Sequence, residues 1–505
     1  MIPPLLAIFS YPVVVVVLFR LLEPRSALIW TILLGYLFLP TRTAIDLPLL
    51  PAIDKDTVPA IAALCGMAAV APGLARQADL PLPGWIPRNL LIRITMFAIV
   101  GGSFLTVMSN LDALSLGVRW LRGLSIYDGF SSVLSAIMSL LVMLMARKFL
   151  AGDESQRALL RALAVAGAIY SLPIIYELIM SPQMNKIVYG FFPHSWRQHV
   201  RGDGYRPLVF LSHGLWLGIF LCVTVLAAFG YARTTNASHK LVYFGLGAWL
   251  LVLLLLMKSL GAALIALILM PAVLFMTKRA QLLLAAILAA IILIYPLLRG
   301  NDLIPVDRAL AIAASISSDR AGSLGTRLVN EDRLLAKANQ RPVFGWGGWG
   351  RSRVFNEKGE DISLTDGIWV AIIGKEGWVG YLGNFGLLCF PLILLAMRRN
   401  NDISPTTSIL SLVFVANLID LIPNATLTPV TWLIAGSLIG RLEGQKAGDR
   451  ASEVTKPAAA EVRLRRTRFG PEAGYPDQGT SIADRKMRKT RFPVQIDREG
   501  EFNGS

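Results

Sequence analysis

Apolar and polar residues follow one another along this chain in long blocks rather than at short spacings. Runs of about 14–22 apolar residues recur from the N-terminus to residue 440, and such runs can cross a hydrocarbon core about 30 Å thick with some tilt. Because backbone groups in lipid must find their hydrogen bonds within the same segment, each run predicts a helix.

Thirteen runs can be distinguished, and the second and third are short. They lie near residues 3–19, 27–40, 58–72, 90–108, 130–146, 158–179, 208–230, 241–257, 259–276, 280–298, 378–397, 407–422 and 428–440. The pattern predicts an all-α polytopic membrane protein with about 12–13 transmembrane helices. The ten-residue alternation typical of a membrane β-barrel does not occur.

A polar segment, residues 299–363, separates the tenth run from the eleventh. It carries ten Lys and Arg residues and the run FGWGGWG at 344–350, and TDGIW follows at 365–369. Apolar residues at helical spacing over 324–339 predict an amphipathic helix lying on the membrane face. Such an insert is where a bilayer-embedded protein can meet a polar substrate.

The composition supports a membrane protein and argues against one that binds nucleic acid. Hydrophobic residues make up 54% of the 505 positions and charged residues 16%, whereas soluble chains contain about 25% charged residues. The formal charge is +16, but the basic residues lie mostly at the ends of the runs, in the insert and in the tail. Basic residues at these places are expected to contact anionic lipid headgroups.

The basic residues also predict an orientation. With the C-terminus inside, the short inside connections hold fourteen Lys and Arg residues, and the outside connections other than the insert hold nine. Residues 443–505 contain few large apolar residues and two basic clusters, which predicts a disordered cytoplasmic tail. The chain thus divides into N-terminal helices (1–200), a second membrane region (204–441) with the insert outside, and the tail (443–505).

Cysteine and histidine usage excludes several kinds of site. The three cysteines are far apart within apolar runs, and the four histidines lack the spacing of metal ligands. We therefore expect no disulfide framework, no metal and no cofactor. The first run lacks the basic start of a cleaved signal, which favours a retained span.

Three arginines are candidates for binding an anion outside the membrane. Arg206 lies at the outer edge of the seventh run, with His213 about two helical turns further in, and Arg320 and Arg327 lie near the start of the amphipathic segment. Guanidinium groups bind phosphate oxygens through paired N–H donors and stay charged on partial burial. The alternatives are an interfacial Arg206 that extends to lipid headgroups and a plain charged face on the surface helix.

Trp346, Trp349 and Asp366 complete the set of candidates. The two tryptophans of FGWGGWG can stack on a sugar or anchor the loop at the interface. Asp366 precedes an apolar segment, where aspartate commonly caps a helix but can also act as a base toward an acceptor hydroxyl. Lys375 and Glu376 are interpreted as an interfacial ion pair.

The order of these features resembles the family of bacterial inner-membrane proteins that includes O-antigen ligases and O-antigen polymerases. The resemblance rests on RPLVFLSHGLWLG, KSLGAALIAL, TRL followed by RPVFGWGGWG, and TDGIW followed by GKEGWVGYLG, within residues 204–383. Members of the family are polytopic, with one large periplasmic loop late in the chain. They transfer glycans from undecaprenyl diphosphate to lipid A–core or to another lipid-linked repeat.

The resemblance implies roles for individual residues. Arg206 and Arg327 match the two arginines thought to hold the diphosphate, and Asp366 stands where the ligases carry a histidine and would be the catalytic base. Lys258, Ser259 and Leu260 stand where Ser-Arg is often found. Both departures favour a polymerase or an exopolysaccharide-type enzyme over a ligase. Secondary contacts would come from Arg320, His213, Trp346 and Trp349.

The expected activity is therefore metal-independent glycosyl transfer at the periplasmic face of the bacterial inner membrane. The partners would be an undecaprenyl-diphosphate-linked glycan donor, a glycan or lipid-linked acceptor, and membrane lipids. Two other functions remain open. A transporter or flippase predicts paired broken helices with polar residues at mid-membrane, and a non-catalytic subunit of a polysaccharide export system predicts docking through the basic tail.

Overall fold

Helices account for almost all of the regular structure. The computed structural model describes residues 1–455 apart from 48–49, 75–81, 117, 202–203, 302, 317 and 399–402. Within these residues the helices are α1 (Pro4–Leu21), α2 (Pro24–Phe38), α3 (Thr57–Leu74), α4 (Leu90–Met108), α5 (Ile126–Phe149), α6 (Asp153–Met180), α7 (Met184–Tyr189), α8 (Gly214–Thr234), α9 (Ala237–Leu256), α10 (Leu260–Phe275), α11 (Lys278–Gly300), α12 (Val306–Ile316), α13 (Ser318–Ala338), α14 (Ile368–Ala396), α15 (Pro405–Asp420) and α16 (Pro429–Thr455).

Two short antiparallel hairpins and one 3₁₀ turn occur in the connections. Strands β1 (Leu114–Leu116) and β2 (Arg119–Leu121) pair between α4 and α5, with Ser115 opposite Trp120. Strands β3 (Val200–Arg201) and β4 (Gly204–Tyr205) pair after the 3₁₀ turn Trp196–His199. Both hairpins are too short to form a core of their own.

All thirteen apolar runs correspond to helices, but they are not of equal length. In the described part of the chain, α1, α4, α5, α6, α8, α9, α11 and α14 are long and apolar enough to cross a membrane. Helices α2, α3, α10 and α15 are shorter apolar helices. The helix content and these eight helices indicate a multi-pass, all-helical membrane protein.

Helices α8 and α15 form the centre of the bundle. Helix α8 packs against α6, α9, α10 and α15, and α15 also contacts α6, α10 and α11. Nearly every residue of both helices is buried, as expected of a helix that is apolar on all sides. The polar residues of α15 find partners inside the bundle: Thr407 Oγ1 donates to Gln156 Oε1 (2.6 Å) and Ser408 Oγ to Gln281 Oε1 (2.8 Å).

Helix α14 is broken near its start, at Gly377. This residue has φ 67° and ψ −168°, a conformation that is essentially restricted to glycine. The break was expected from the sequence, because an apolar segment begins again after Gly377. A break of this kind leaves backbone groups without helical partners, and in apolar surroundings each such group costs several kcal/mol.

The FGWGGWG loop supplies the missing hydrogen bonds. Carbonyls before the break accept from the loop, and N–H groups after it donate to the loop. The four bonds are Trp346 N to Gly374 O (2.9 Å), Gly347 N to Lys375 O (2.9 Å), Trp378 N to Pro342 O (2.7 Å) and Val379 N to Val343 O (3.2 Å). We call this arrangement, residues 342–347 against 374–379, the loop–helix join.

The join requires glycine at two facing positions. A Cβ atom on Gly377 would lie 2.3 Å from the carbonyl oxygen of Val343, and one on Gly345 (φ 66°) would lie 2.6 Å from the backbone nitrogen of Gly377. The glycines of the motif therefore allow two backbones to touch.

The C-terminal tail begins later than its composition predicts. Helix α16 continues to Thr455, and Glu443, the expected first residue of the tail, is buried. Its carboxylate accepts from Arg147 Nε (2.8 Å) and from the backbone N–H groups of Arg88 (2.6 Å) and Asn89 (3.0 Å). A long-range ion pair thus holds a segment whose local composition is that of a tail. The rest of the predicted disordered region, 456–505, lies outside the described residues.

We expect Gly377→Ala to lower the thermal midpoint of unfolding of the purified protein strongly. The added Cβ meets a backbone carbonyl, and the conformation itself is costly, so a loss of about 3 kcal/mol or more is expected. Gly350→Ala is the matched control, since Gly350 also has positive φ (78°) but has open space around its Cβ position. Equal midpoints for the two variants would show that the join is dispensable.

Candidate functional site

The amphipathic helix of the insert is present as α13 and starts six residues earlier than predicted. Its apolar residues Leu334, Leu335 and Ala338 are buried, and the helix packs against α12 and α14. Arg299, at the end of α11, anchors it through an ion pair from Nη2 to Asp332 Oδ1 (2.6 Å). The helix is therefore held at the end of the bundle where α11 ends and α14 begins, which we call the loop face.

Arg327 and Asp366 meet on the loop face. Arg327 Nε lies 3.5 Å from Asp366 Oδ2, and the two side chains are 30% and 37% exposed. A second contact joins the same segments, because Asn330 Oδ1 accepts from the backbone N–H of Leu364 (3.1 Å). Two residues that are 39 positions apart and were both candidates from the sequence thus form one accessible ion pair.

Asp366 does not cap helix α14. The N-cap position is Gly367, without a side-chain capping bond. The space there is closed, since a Cβ on Gly367 would lie 2.3 Å from the carbonyl oxygen of Ile422. The geometry thus excludes the capping role considered for Asp366, and its role as a base stays a prediction.

Asp420 lies behind this pair at the end of α15. Its carboxylate is buried and accepts from Asn424 Nδ2 (2.8 Å) and Thr426 Oγ1 (2.7 Å). It also interacts electrostatically with Arg327. Arg327 thus contacts an accessible carboxylate and lies within electrostatic range of a buried one.

Arg206 belongs to a second group of residues before α8. Its side chain is 8% exposed, and its Nη2 donates to the carbonyl of Lys258 (3.3 Å). The following backbone is fixed by Glu177, whose Oε2 accepts from the N–H groups of Leu208 and Val209 (2.8 Å each). Helix α8 packs on α15, but the contacts given above place Arg206 beside the α9–α10 connection rather than on Asp366.

His213 caps helix α8, and its Nδ1 accepts from the N–H of Leu215 (3.0 Å). Its ring contacts those of His194 and His199, with centroids 4.7 and 5.0 Å away. Over the residues that the structure describes, no group of three His, Cys, Asp or Glu residues is arranged to hold a metal ion. His213 thus has a structural role in positioning the segment that carries Arg206.

The two tryptophans of the glycine-rich motif have different surroundings. Trp346 is buried, its Nε1 donates to Lys337 O (2.8 Å), and its ring is covered by Lys337 Nζ at 3.7 Å and Arg341 Cζ at 4.4 Å. Trp349 is 61% exposed. Trp346 therefore anchors the loop, and only Trp349 offers a ring to a ligand. Arg320 lies in the first turn of α13, and its side chain is outside the described part.

Sequence reasoning missed the residues that tie the loop to the α4–α5 connection. Asp112 accepts from Arg341 Nη2 (2.7 Å), and this hydrogen bond is the main reason why the pKa of Asp112 is lowered. Arg351 is fully buried and donates to three carbonyls, those of Trp346, Arg122 and Asp112. Asp112 stands in a short polar connection with no local pattern, so only the fold reveals its partner.

No protein-family model and no curated protein matches this chain. The chemistry of the site therefore has to follow from its own geometry. The structure brings Arg327 and Asp366 into direct contact, with Asp420 within electrostatic range of Arg327, and places Arg206 and His213 in a separate group before α8.

Glu331 provides a test of how α13 is held. Burial raises its pKa to about 7, with Arg299 acting in the opposite direction. An acid whose pKa is higher in the folded protein than in the unfolded chain stabilises the fold below the unfolded pKa, about 4.5, and this contribution is lost as pH rises through about 7. The free energy of unfolding should change by about 3 kcal/mol at most over this pH range.

We expect Glu331→Gln to remove this pH dependence. The thermal midpoint of the original protein should be lower at pH 8 than at pH 5. This decrease should be smaller for the variant. Glu357→Gln, which alters an exposed carboxylate elsewhere in the insert, is the control. The same fall in all three proteins would mean that Glu331 is ionised throughout.

Proposed function

We propose that the protein is a membrane glycosyltransferase that polymerises or ligates a glycan carried on undecaprenyl diphosphate, for a surface polysaccharide such as O-antigen or an exopolysaccharide. The observation that carries the proposal is the accessible Arg327–Asp366 pair on the loop face. In this pair, a cation that can bind a diphosphate lies in contact with a carboxylate that can accept a proton from a hydroxyl group.

The reaction follows from these two groups. An acceptor hydroxyl attacks the anomeric carbon of the donor sugar while the bond from that carbon to the diphosphate oxygen breaks. Asp366 takes the hydroxyl proton, and the diphosphate leaves with the bonding electrons. A guanidinium has five N–H donors, so Arg327 can hold Asp366 through Nε and a phosphate oxygen through its other nitrogens. The fixed positive charge of Arg327 stabilises the negative charge that develops on the leaving diphosphate.

Arg206 would act as the second cation, with Lys258 beside it at the α9–α10 connection. Its low exposure means that few of its N–H groups could contact a ligand directly. The proposal places the loop face outward, at the periplasmic side of a bacterial inner membrane, because a lipid-linked glycan is presented there. The excess of basic residues in the opposite connections supports this orientation.

Transport of a lipid-linked or polar solute is the second candidate, because α14 is a broken helix beside polar cavities. Broken helices in transporters commonly line a substrate site near the middle of the membrane. The break in this chain is closed by hydrogen bonds from the loop, which leaves few backbone groups of the break to bind a solute. Glycosyl transfer is therefore the better supported function.

We expect Arg327→Ala to reduce turnover at least about 100-fold with a purified undecaprenyl-diphosphate oligosaccharide and an acceptor, because an electrostatic group of this kind commonly contributes that much. Arg333→Ala is the matched control, since Arg333 is an exposed arginine of the same helix. Product formation would be followed by separation of glycan lengths. Equal turnover of the two variants would remove Arg327 from the reaction.

We expect Asp366→Asn to lower kcat by about 10²–10⁴-fold, the range for loss of a general base, while diphosphate binding is retained. Asn keeps the size of the side chain but cannot accept the proton. If kcat stays within twofold of the original value, Asp366 only positions Arg327, and the base must be sought elsewhere.

A further inference from the structure

Two cavities open between the helices beside the loop–helix join, and they share four lining residues. The first has a volume of about 390 Å³ and the second about 380 Å³, and each is within the range of about 300–1,000 Å³ found for small-molecule sites. The shared residues are Ser135, Ser139, Asn384 and Trp432. Because these residues border both spaces, the two cavities are adjacent, and we call them together the chamber. Its walls come from α4, α5, α14, α16 and the α2–α3 connection.

The wall formed by α5 carries a row of hydroxyl groups beside apolar side chains. Ser131, Ser135 and Ser139 recur every four residues and therefore lie on one face of the helix, which borders the chamber. Ser135 and Ser139 are exposed, and Ser139 Oγ donates to the carbonyl of Ser135 (2.9 Å). Polar groups on a membrane helix normally face the protein interior or a polar cavity and not lipid. This face of α5 can therefore offer hydroxyl oxygens to a polar occupant.

The opposite wall carries a balanced pair of charges. Lys375 Nζ lies 3.2 Å from Glu376 Oε1, and Asn384 Nδ2 donates to Glu376 Oε2 (3.4 Å). Lys375 and Glu376 are fixed here because they directly precede the break in α14. Asp54 and Asp56 border the second cavity. Among the described residues that line either cavity there is no arginine, so the chamber is poorly suited to a diphosphate.

Two tryptophans lie where a ligand would pass. Trp432 is buried between the two cavities, and Trp349 borders the first with 61% of its surface exposed. Trp349 has φ 52°, an uncommon conformation for a residue other than glycine. Strain of this kind costs on the order of 1 kcal/mol and is found mostly at functional sites. The backbone is held in a costly conformation that leaves a large aromatic ring at the border of a polar space.

We propose that this chamber binds a neutral oligosaccharide. Hydroxyl, amide and carboxylate groups can donate to and accept from sugar hydroxyls, and an indole ring can cover the apolar face of a sugar ring. A net cationic lining, which an anionic ligand would require, is absent from the described walls. The structure thus separates a sugar-binding chamber from the arginine-containing site.

The chamber and the Arg327–Asp366 pair are joined by one short connection. Residues 421–428 link α15 to α16; Asn424 and Thr426 hold Asp420, which interacts with Arg327, and Leu427 and Thr428 line the second cavity. This connection therefore runs from the carboxylate that interacts with Arg327 to the wall of the chamber, so a bound glycan would contact a segment that also reaches the ion pair. Its role as the acceptor or as the growing chain rests on the proposed function, whereas its binding does not.

The test is equilibrium binding to the full-length protein in nanodiscs. The probe is the mixture of neutral oligosaccharides released by mild acid from the surface polysaccharide of the source cell, and inorganic diphosphate is the second ligand. We expect Trp349→Ala to weaken oligosaccharide binding about tenfold and Trp349→Phe to restore most of it. We expect Ser135→Leu to weaken it as well, because it replaces a hydroxyl that borders both cavities with a larger apolar group. Trp120→Ala, which removes an equally exposed tryptophan from β2, should change nothing.

The two ligands separate failure of this inference from failure of the proposed function. Diphosphate binding should be unchanged in Trp349→Ala and lost in Arg327→Ala. Oligosaccharide binding that is absent in the original protein, or equal in Trp349→Ala and Trp120→Ala, overturns the chamber as a sugar site. Diphosphate binding that survives Arg327→Ala contradicts the proposed function and leaves the sugar chamber standing. Thermal midpoints of every variant show whether a loss reflects unfolding.

Discussion

The hydrogen bonds between the FGWGGWG loop and the broken start of α14 are the constraint on which the loop face depends. A helix that breaks in apolar surroundings must have its freed backbone groups satisfied by another segment, and residues 342–347 do this. The same hydrogen bonds also hold the loop in place against α14. Trp349 and Lys375, which come from segments 26 positions apart, are consequently fixed on the border of one cavity. The glycines of the motif are explained by this close approach of two backbones, without a role in binding phosphate.

The loop face divides into two regions with different electrostatics. One contains Arg327, in contact with Asp366 and within electrostatic range of Asp420. The other is the chamber, with hydroxyls, a balanced Lys375–Glu376 pair and no arginine among its described lining. A lipid-linked glycan has the same division, since its diphosphate is anionic and its sugars are neutral. This correspondence links the proposed reaction to the proposed chamber, although each has its own test.

Much of the fold could be predicted because burial in a membrane demands long apolar runs, and each run became a helix. The break at Gly377 was also readable from the restart of the apolar pattern. Features that depend on contacts between residues far apart in sequence could not be predicted. Glu443 looked like the start of a tail, and only its contact with Arg147, 296 positions away, shows otherwise. Similarly, Trp346 and Trp349 are equivalent in the motif, and only packing makes one an anchor and the other an exposed ring. For Asp366, the position of Gly367 at the cap excludes the capping role, whereas the role as a base stays a prediction.

Comparison among the arginines shows why Arg327 is the strongest candidate for binding an anion. Arg147 and Arg351 are 0% and 1% exposed, and in each the Nε, Nη1 and Nη2 atoms all donate to protein acceptors. An arginine engaged in this way stabilises the fold and cannot bind a ligand without leaving buried acceptors unpaired. Arg327 is 30% exposed and meets an equally accessible carboxylate at 3.5 Å. An exposed pair contributes little to stability, so Arg327 could exchange part of its contact with Asp366 for a phosphate oxygen at little cost to folding, as the proposed function requires.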